Sequence, residues 1–179
     1  MKKIKNNLIA GIGILVISLF SISCGGGGDE QSDADKDGGG ETPLEKQLIG
    51  YWSPDADSFF EMAKSMMPAE VVAVPEALEA AKEQSAAMAE KMVIQFDGSK
   101  SMMYGPGPPE SSTYKITSSD SATKTMTADI TDADGKVEKG TVIVNGDSIV
   151  LIKKEGEKEE RIKFNRITEA QFKERVPQN

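Results

Sequence analysis

The stretch "KGTVIVNGDSIVLIKK", residues 139–154, decides how this chain folds. Two runs dense in Val, Ile and Thr flank Asn145-Gly146, and β-branched residues suit a pleated, half-buried strand. Asn-Gly between apolar runs is the strongest short-range hairpin signal. The same grammar recurs outward in "STYKITS" (112–118), "TKTMTADIT" (123–131) and "ERIKFNRI" (160–167), with Asp134-Gly135 and Glu155-Gly156 as further turns. Upstream, Met92, Ile94 and Phe96 alternate with Val93, Gln95 and Asp97 before Asp97-Gly98, and "SMMYG" (101–105) follows. With "QLIGYW" (47–52) at the start, the count is about eight strands. Short turns link the last seven, so the sequence predicts a mainly β fold, an antiparallel up-and-down meander or barrel. Eight such strands can close around a filled interior or one small ligand.

Between the first strand and the meander the period becomes helical. In "SPDADSFFEMAKSMM" (53–67), Ser53 is a candidate cap with Pro54 at the first helical position. Phe59, Met62, Ala63, Met66 and Met67 then share one face. Pro68 stops that helix, and Pro75 opens a second whose stripe is Leu78, Ala81, Ser85, Met88 and Met92. Residues 54–91 thus read as a two-helix insertion. Phe59, Met62, Met66 and Met67 make its apolar face, a candidate lid or ligand-contacting surface over one barrel end. "TEAQFKERV" (168–176) reads as a short terminal helix.

The N-terminal quarter is of another kind. Lys2, Lys3 and Lys5 precede a fifteen-residue apolar run from Leu8 to Ile22, the pattern of a secretory signal. As a helix it would span about 23 Å, short of the ~30 Å hydrocarbon core. The run ends at Cys24, the single cysteine of a chain without histidine. From Gly25 to Pro43 the chain holds seven glycines, six acids and no large apolar residue, too little to bury for folding. A flexible coil of that length spans roughly 25 Å, a tether for the body that starts at residue 44. "SISC" (21–24), at the end of the apolar run, resembles the lipobox of bacterial lipoproteins, with Ser21 where that family usually has Leu. The resemblance implies cleavage before Cys24 and a diacylglycerol on its sulfur. It also implies a membrane-anchored protein of the bacterial cell envelope, folded outside the cytoplasm.

Within residues 48–167 the motifs resemble those of the lipocalin-like domains of small bacterial lipoproteins. Gly50-Tyr51-Trp52 matches the G-x-W of that family's first strand, "MVIQFDGSKSM" (92–102) its second, "TYKIT" (113–117) a central strand, "VNGDSIVL" (144–151) a late hairpin and "IKFNRI" (162–167) the closing strand. Arg166 shares the parity of Ile162 and Phe164, so it faces the interior at a barrel end. The resemblance places it across the face of Trp52, a structural pair rather than a catalytic one.

Composition narrows the function. Losing residues 1–23 removes three lysines and takes the net charge from −8 to −11, a surface that repels nucleic acid. Without histidine the commonest general base and metal ligand is missing, no G-x-S-x-G elbow or phosphate loop occurs, and no catalytic residue, cofactor or metal is expected. "DADG" (132–135) starts like a calcium loop, but the position for its closing acid falls in the strand "VIV" (142–144). The methionines of "MAKSMM" and "SMMYG" raise a copper site and are better read as adaptable packing. Two functions stay open: a module binding an apolar or amphipathic small molecule, or a non-catalytic structural or protein-interaction module with a filled barrel.

Overall fold

The computed structural model describes residues 43–155 and 158–176. In chain order the elements are α1 (Leu44–Leu48), β1 (Gly50–Pro54), α2 (Ala56–Ser65), α3 (Ala69–Val72), α4 (Pro75–Ala89), β2 (Val93–Phe96), β3 (Lys100–Tyr104), β4 (Glu110–Asp120), β5 (Thr125–Thr131), β6 (Val137–Asn145), β7 (Ser148–Glu155), β8 (Lys158–Ile167) and α5 (Glu169–Arg175). The eight strands pair antiparallel in sequence order and β8 returns to β1, closing an up-and-down barrel.

The alternation read from sequence sets the inner face. Trp52, Ile94, Phe96, Tyr114, Met126, Val142, Val144, Ile149 and Phe164 form one buried cluster with Leu44 and Leu48 of α1. Because α1 precedes β1, its two leucines plug the end from which β1 starts. The other end carries the helical insertion, where β1 leaves for α2 and β2 returns.

Three local expectations are corrected. Leu48 was expected in the first strand, but it ends α1. Gly50, at φ +135°, makes the break between helix and strand, a conformation costly to any residue with a Cβ. Pro54 was expected as the first helical residue after a Ser53 cap, but it closes β1 opposite Phe164. Asp55 is the N-cap instead, its Oδ1 accepting from Ser58 N–H at 3.1 Å. The turn at Asn145-Gly146 lies one residue later: Asn145 pairs with Ser148, so Gly146 and Asp147 form the loop, with Gly146 at φ +63°. Glycine at the first central position is the mark of a II′ turn.

The insertion has a structural task. β8 runs ten residues but β1 only five, and β1 pairs with no residue of β8 before Phe164. An open strand edge invites pairing with other chains. Here Asp55 N–H donates to Lys163 O at 2.8 Å, and Ser58 Oγ accepts from Lys163 N–H at 2.9 Å, so α2 continues along β8 where β1 stops. α2 also packs against α4, with the one-turn α3 between them in sequence. On the outer wall, Val93 and Ser53 are buried although they alternate with inward-facing neighbours. Ser53 Oγ donates to Ala89 O of α4 and accepts from Arg175 Nη1 of α5 at 2.6 Å. α5, opened by the Thr168–Gln171 capping box, stacks Phe172 on Tyr51 (4.4 Å) and meets the edge of Tyr104.

Ser85 of α4 lies in the buried small-residue stripe with Ala81 and Ala89, fully inaccessible, and its Oγ has no hydrogen-bond partner. A buried unsatisfied hydroxyl costs about 1–3 kcal/mol, and alanine is the better helix former. Ser85→Ala is therefore expected to stabilise the domain by about 1 kcal/mol, read as a raised denaturant midpoint with unchanged slope.

Candidate functional site

Two features define the barrel ends. At the plugged end, Arg166 Cζ sits 4.1 Å from the centroid of the Trp52 ring. Its Nη1 donates to Ile49 O at 3.0 Å and its Nη2 to Gln47 O, while Trp52 Nε1 donates to Leu48 O at 2.8 Å. One guanidinium and one indole therefore hold three successive carbonyls at the end of α1. A cation over an indole contributes about 0.5–2 kcal/mol, more as it is desolvated. Asp147, in the β6–β7 turn, adds a long contact to Arg166 Nε at 3.7 Å from an almost fully exposed position, which contributes little. Tyr114 extends the plug: its Oη accepts from Gly98 N–H at 3.0 Å, and burial pushes its phenol above the ordinary value.

Gly50 belongs to this plug. A Cβ there would lie 2.7 Å from Arg166 Nη1, on a backbone at φ +135°. Gly50→Ala is expected to destabilise the domain by about 1–3 kcal/mol, the range for a residue held in a disfavoured backbone region. A denaturant melt showing no loss would mean that Arg166 does not need its present position.

At the insertion end the inner wall is different. Trp52, Val144, Ile149 and Met126 are wholly buried, whereas Met103, Ile130, Leu151 and Ile162, on the same inner face, are only half-buried. The inner face is thus fully buried at Trp52, Val144 and Ile149 and only partly buried at Met103, Ile130, Leu151 and Ile162 towards the insertion end, the half referred to as the cup. Glu110, Glu138, Lys153 and Glu160 follow on the inner parity towards its rim: Glu110 lies opposite Met103, Glu138 opposite Ile130 and Glu160 opposite Lys153.

The predicted residues thus fall into three groups. Trp52 and Arg166 are brought together. Phe59 and Met62 are 2% and 6% exposed and stand outside the barrel-core cluster, on the helix that packs against α4 and β8. Met66 and Met67 follow, half-buried, beyond the end of α2. The face expected to meet a ligand is occupied largely by the protein's own elements. Cys24 and the tether lie outside the described residues. The sequence reading missed the rim charges, although Lys153 shares the parity of Ile149 and Leu151, and Glu138 that of Val142 and Val144. It also missed α1, whose carbonyls are the partners of Arg166.

"DADG" forms a turn in which Asp132 Oδ1 accepts from Asp134 N–H and Lys136 N–H, both at 2.9 Å. Among the described residues no group of three or more Asp, Glu, His or Cys is placed to hold a metal, and no helix is long and apolar enough to cross a membrane. Fold and site define an eight-stranded up-and-down barrel, plugged at one end and with a partly exposed inner wall at the other. Compared with protein-family models, with characterised proteins and with solved structures, the chain finds no match.

Proposed function

We propose that this chain is a lipid-anchored protein of the bacterial cell envelope whose lipocalin-like barrel binds an apolar or amphipathic small molecule, without catalysis. The observation that supports binding is the inner wall at Met103, Ile130, Leu151 and Ile162, which faces the barrel axis yet stays half-exposed. Apolar surface held open in a concave site is what small-molecule pockets offer. The plug at Trp52 and Arg166 leaves the insertion end as the way in. The interaction-module reading gains less, because the helical face it would display is buried in Phe59, Phe60 and Met62.

The test fills the cup. Ile162→Trp and Leu151→Trp, on neighbouring strands in direct register, should each weaken binding of an environment-sensitive apolar dye by about tenfold, a loss near 1.4 kcal/mol. Both variants should keep a cooperative melt. Dye binding that neither substitution changes would place the dye elsewhere and remove the support for a cup.

A further inference from the structure

Charge is divided unevenly around the barrel. The insertion, residues 55–90, holds eight acids and two lysines, and both lysines are ion-paired, Lys64 to Glu61 and Lys82 to Asp57. Its last helix, α4, contacts Ser53 on the outer wall of β1, and α5 contacts Ser53, Tyr51 and Tyr104 on the outer wall of β1 and β3. Across the barrel, β5 to β8 turn four bases outward, Lys139, Lys154, Arg161 and Lys163, all exposed, against two acids, Asp129 and Glu159.

The bases frame an apolar strip in direct register. On the outer face Ile143 pairs with Val150 and Val150 with Lys163; in the next row Thr141 pairs with Ile152 and Ile152 with Arg161. Cross-strand packing of β-branched residues stabilises a sheet and accounts for the strip. It does not account for the bases. Glu159 holds Arg161 at 2.6 Å and Lys154 at 3.8 Å, but Lys139 and Lys163 enter no ion pair among the described residues. Asp129 lies in register between Lys139 and Lys115 of β4. Asp120, at the border of this wall, spends its carboxylate on the N–H groups of Ala122 and Thr123. A basic, apolar wall on an acidic chain is complementary to an anionic surface. A second copy of the same wall would set lysine against lysine.

Resting on the lipoprotein reading above, we propose that the outer wall of β5 to β8 lies on the anionic headgroups of the bilayer that holds the Cys24 anchor. The barrel then lies on its side, with α4 and its acids facing away and the mouth of the cup opening along the surface. Anchor and wall divide the work. Lipid chains supply the affinity and a basic patch the second signal. Tethering raises the effective concentration of the surface, so a patch of small net charge suffices to orient the barrel. Without the anchor the wall does not retain the chain, and release of a Cys24→Ala protein stays complete. The net charge of the chain, −8, opposes docking only weakly, because salt screens charges more than about 8–10 Å from the surface.

The test places the full-length protein on vesicles of phosphatidylcholine, and of equimolar phosphatidylcholine and phosphatidylglycerol, both containing a headgroup-level spin-labelled lipid as quencher. A Thr141→Cys protein carries a thiol-reactive fluorophore on the wall, and a Glu79→Cys protein carries it on α4. Cys24 is blocked by its lipid, so each protein takes one fluorophore. The docked fraction read at 141 should be about tenfold higher with phosphatidylglycerol than without. Molar salt, with a screening length of about 3 Å, should erase the difference, and so should Lys139→Glu with Lys163→Glu. The fluorophore at 79 should respond to neither. Equal quenching at 141 on both vesicles, or quenching at 79 as strong as at 141, in protein that floats with phosphatidylcholine vesicles overturns the docked wall and leaves it to an acidic protein partner. Unchanged quenching in a folded double-Glu protein overturns it too. Protein that does not float, or that takes a second fluorophore at Cys24, removes the lipoprotein reading and this inference with it. The comparison of vesicles and of salt needs no charge variant, so it decides even where the double-Glu protein fails to fold.

Discussion

Trp52→Ala is expected to destabilise the domain by about 3–5 kcal/mol, the range for large aromatic truncations in cores. Trp52 is fully buried and belongs to the core cluster with Leu48, Ile94 and Phe164. Three losses coincide. The cavity left by an indole cannot close inside a barrel whose strands are fixed by their register. Leu48 O loses its 2.8 Å donor from Nε1. Arg166 loses the ring under its guanidinium while its own bonds to Gln47 and Ile49 still hold it there. Trp52→Phe keeps most of the packing and drops the N–H donor, so it should cost less than Trp52→Ala by at least 1 kcal/mol. Because Trp52 is the sole tryptophan, the melts are followed by far-UV circular dichroism. A shift below 1 kcal/mol for Trp52→Ala would show that the plug is not part of the core.

Cys24→Ala is expected to release the protein from the membrane fraction completely and to abolish labelling by a radioactive fatty acid. Each buried methylene contributes about 0.8 kcal/mol and a single chain anchors only marginally, whereas two or more chains on one residue hold firmly. The change concerns one atom outside the folded unit that begins at Pro43, so stability of the barrel should be unchanged. Labelling that persists in the Cys24→Ala protein would end the lipoprotein reading and leave the fold untouched.

Where local chemistry and tertiary role coincide, the chain is readable directly. β4 to β8 carry alternation or dense β-branching, and Gly135 and Gly146 stand at turns, so strand count and order follow from short-range signals. The inward parity of Arg166 is legible for the same reason. Misreadings arise where a distant partner decides. "QLIGYW" reads as one short apolar strand, but Leu48 lies four residues after Leu44 and the two reach the core together as a helix, with Gly50 as the break. Ser53-Pro54 carries the signals of a helix start, yet pairing with Asn165 and Phe164 draws both residues into β1. The helical face of Phe59 and Met62 was visible as apolar, but not what would cover it, because β8 lies more than a hundred residues away in sequence. The rim charges look like ordinary surface charge until the barrel closes and turns Glu138 and Lys153 inward.

The most direct test of the central account, a plugged barrel holding an apolar molecule in its open half, is native mass spectrometry of the full-length protein purified from its own host. The expected spectrum shows the mass of the chain cleaved before Cys24 and acylated there, plus one non-covalent adduct released by organic solvent and depleted in the Ile162→Trp protein. A single species at the acylated mass, with no adduct under conditions that keep the fold, would contradict it.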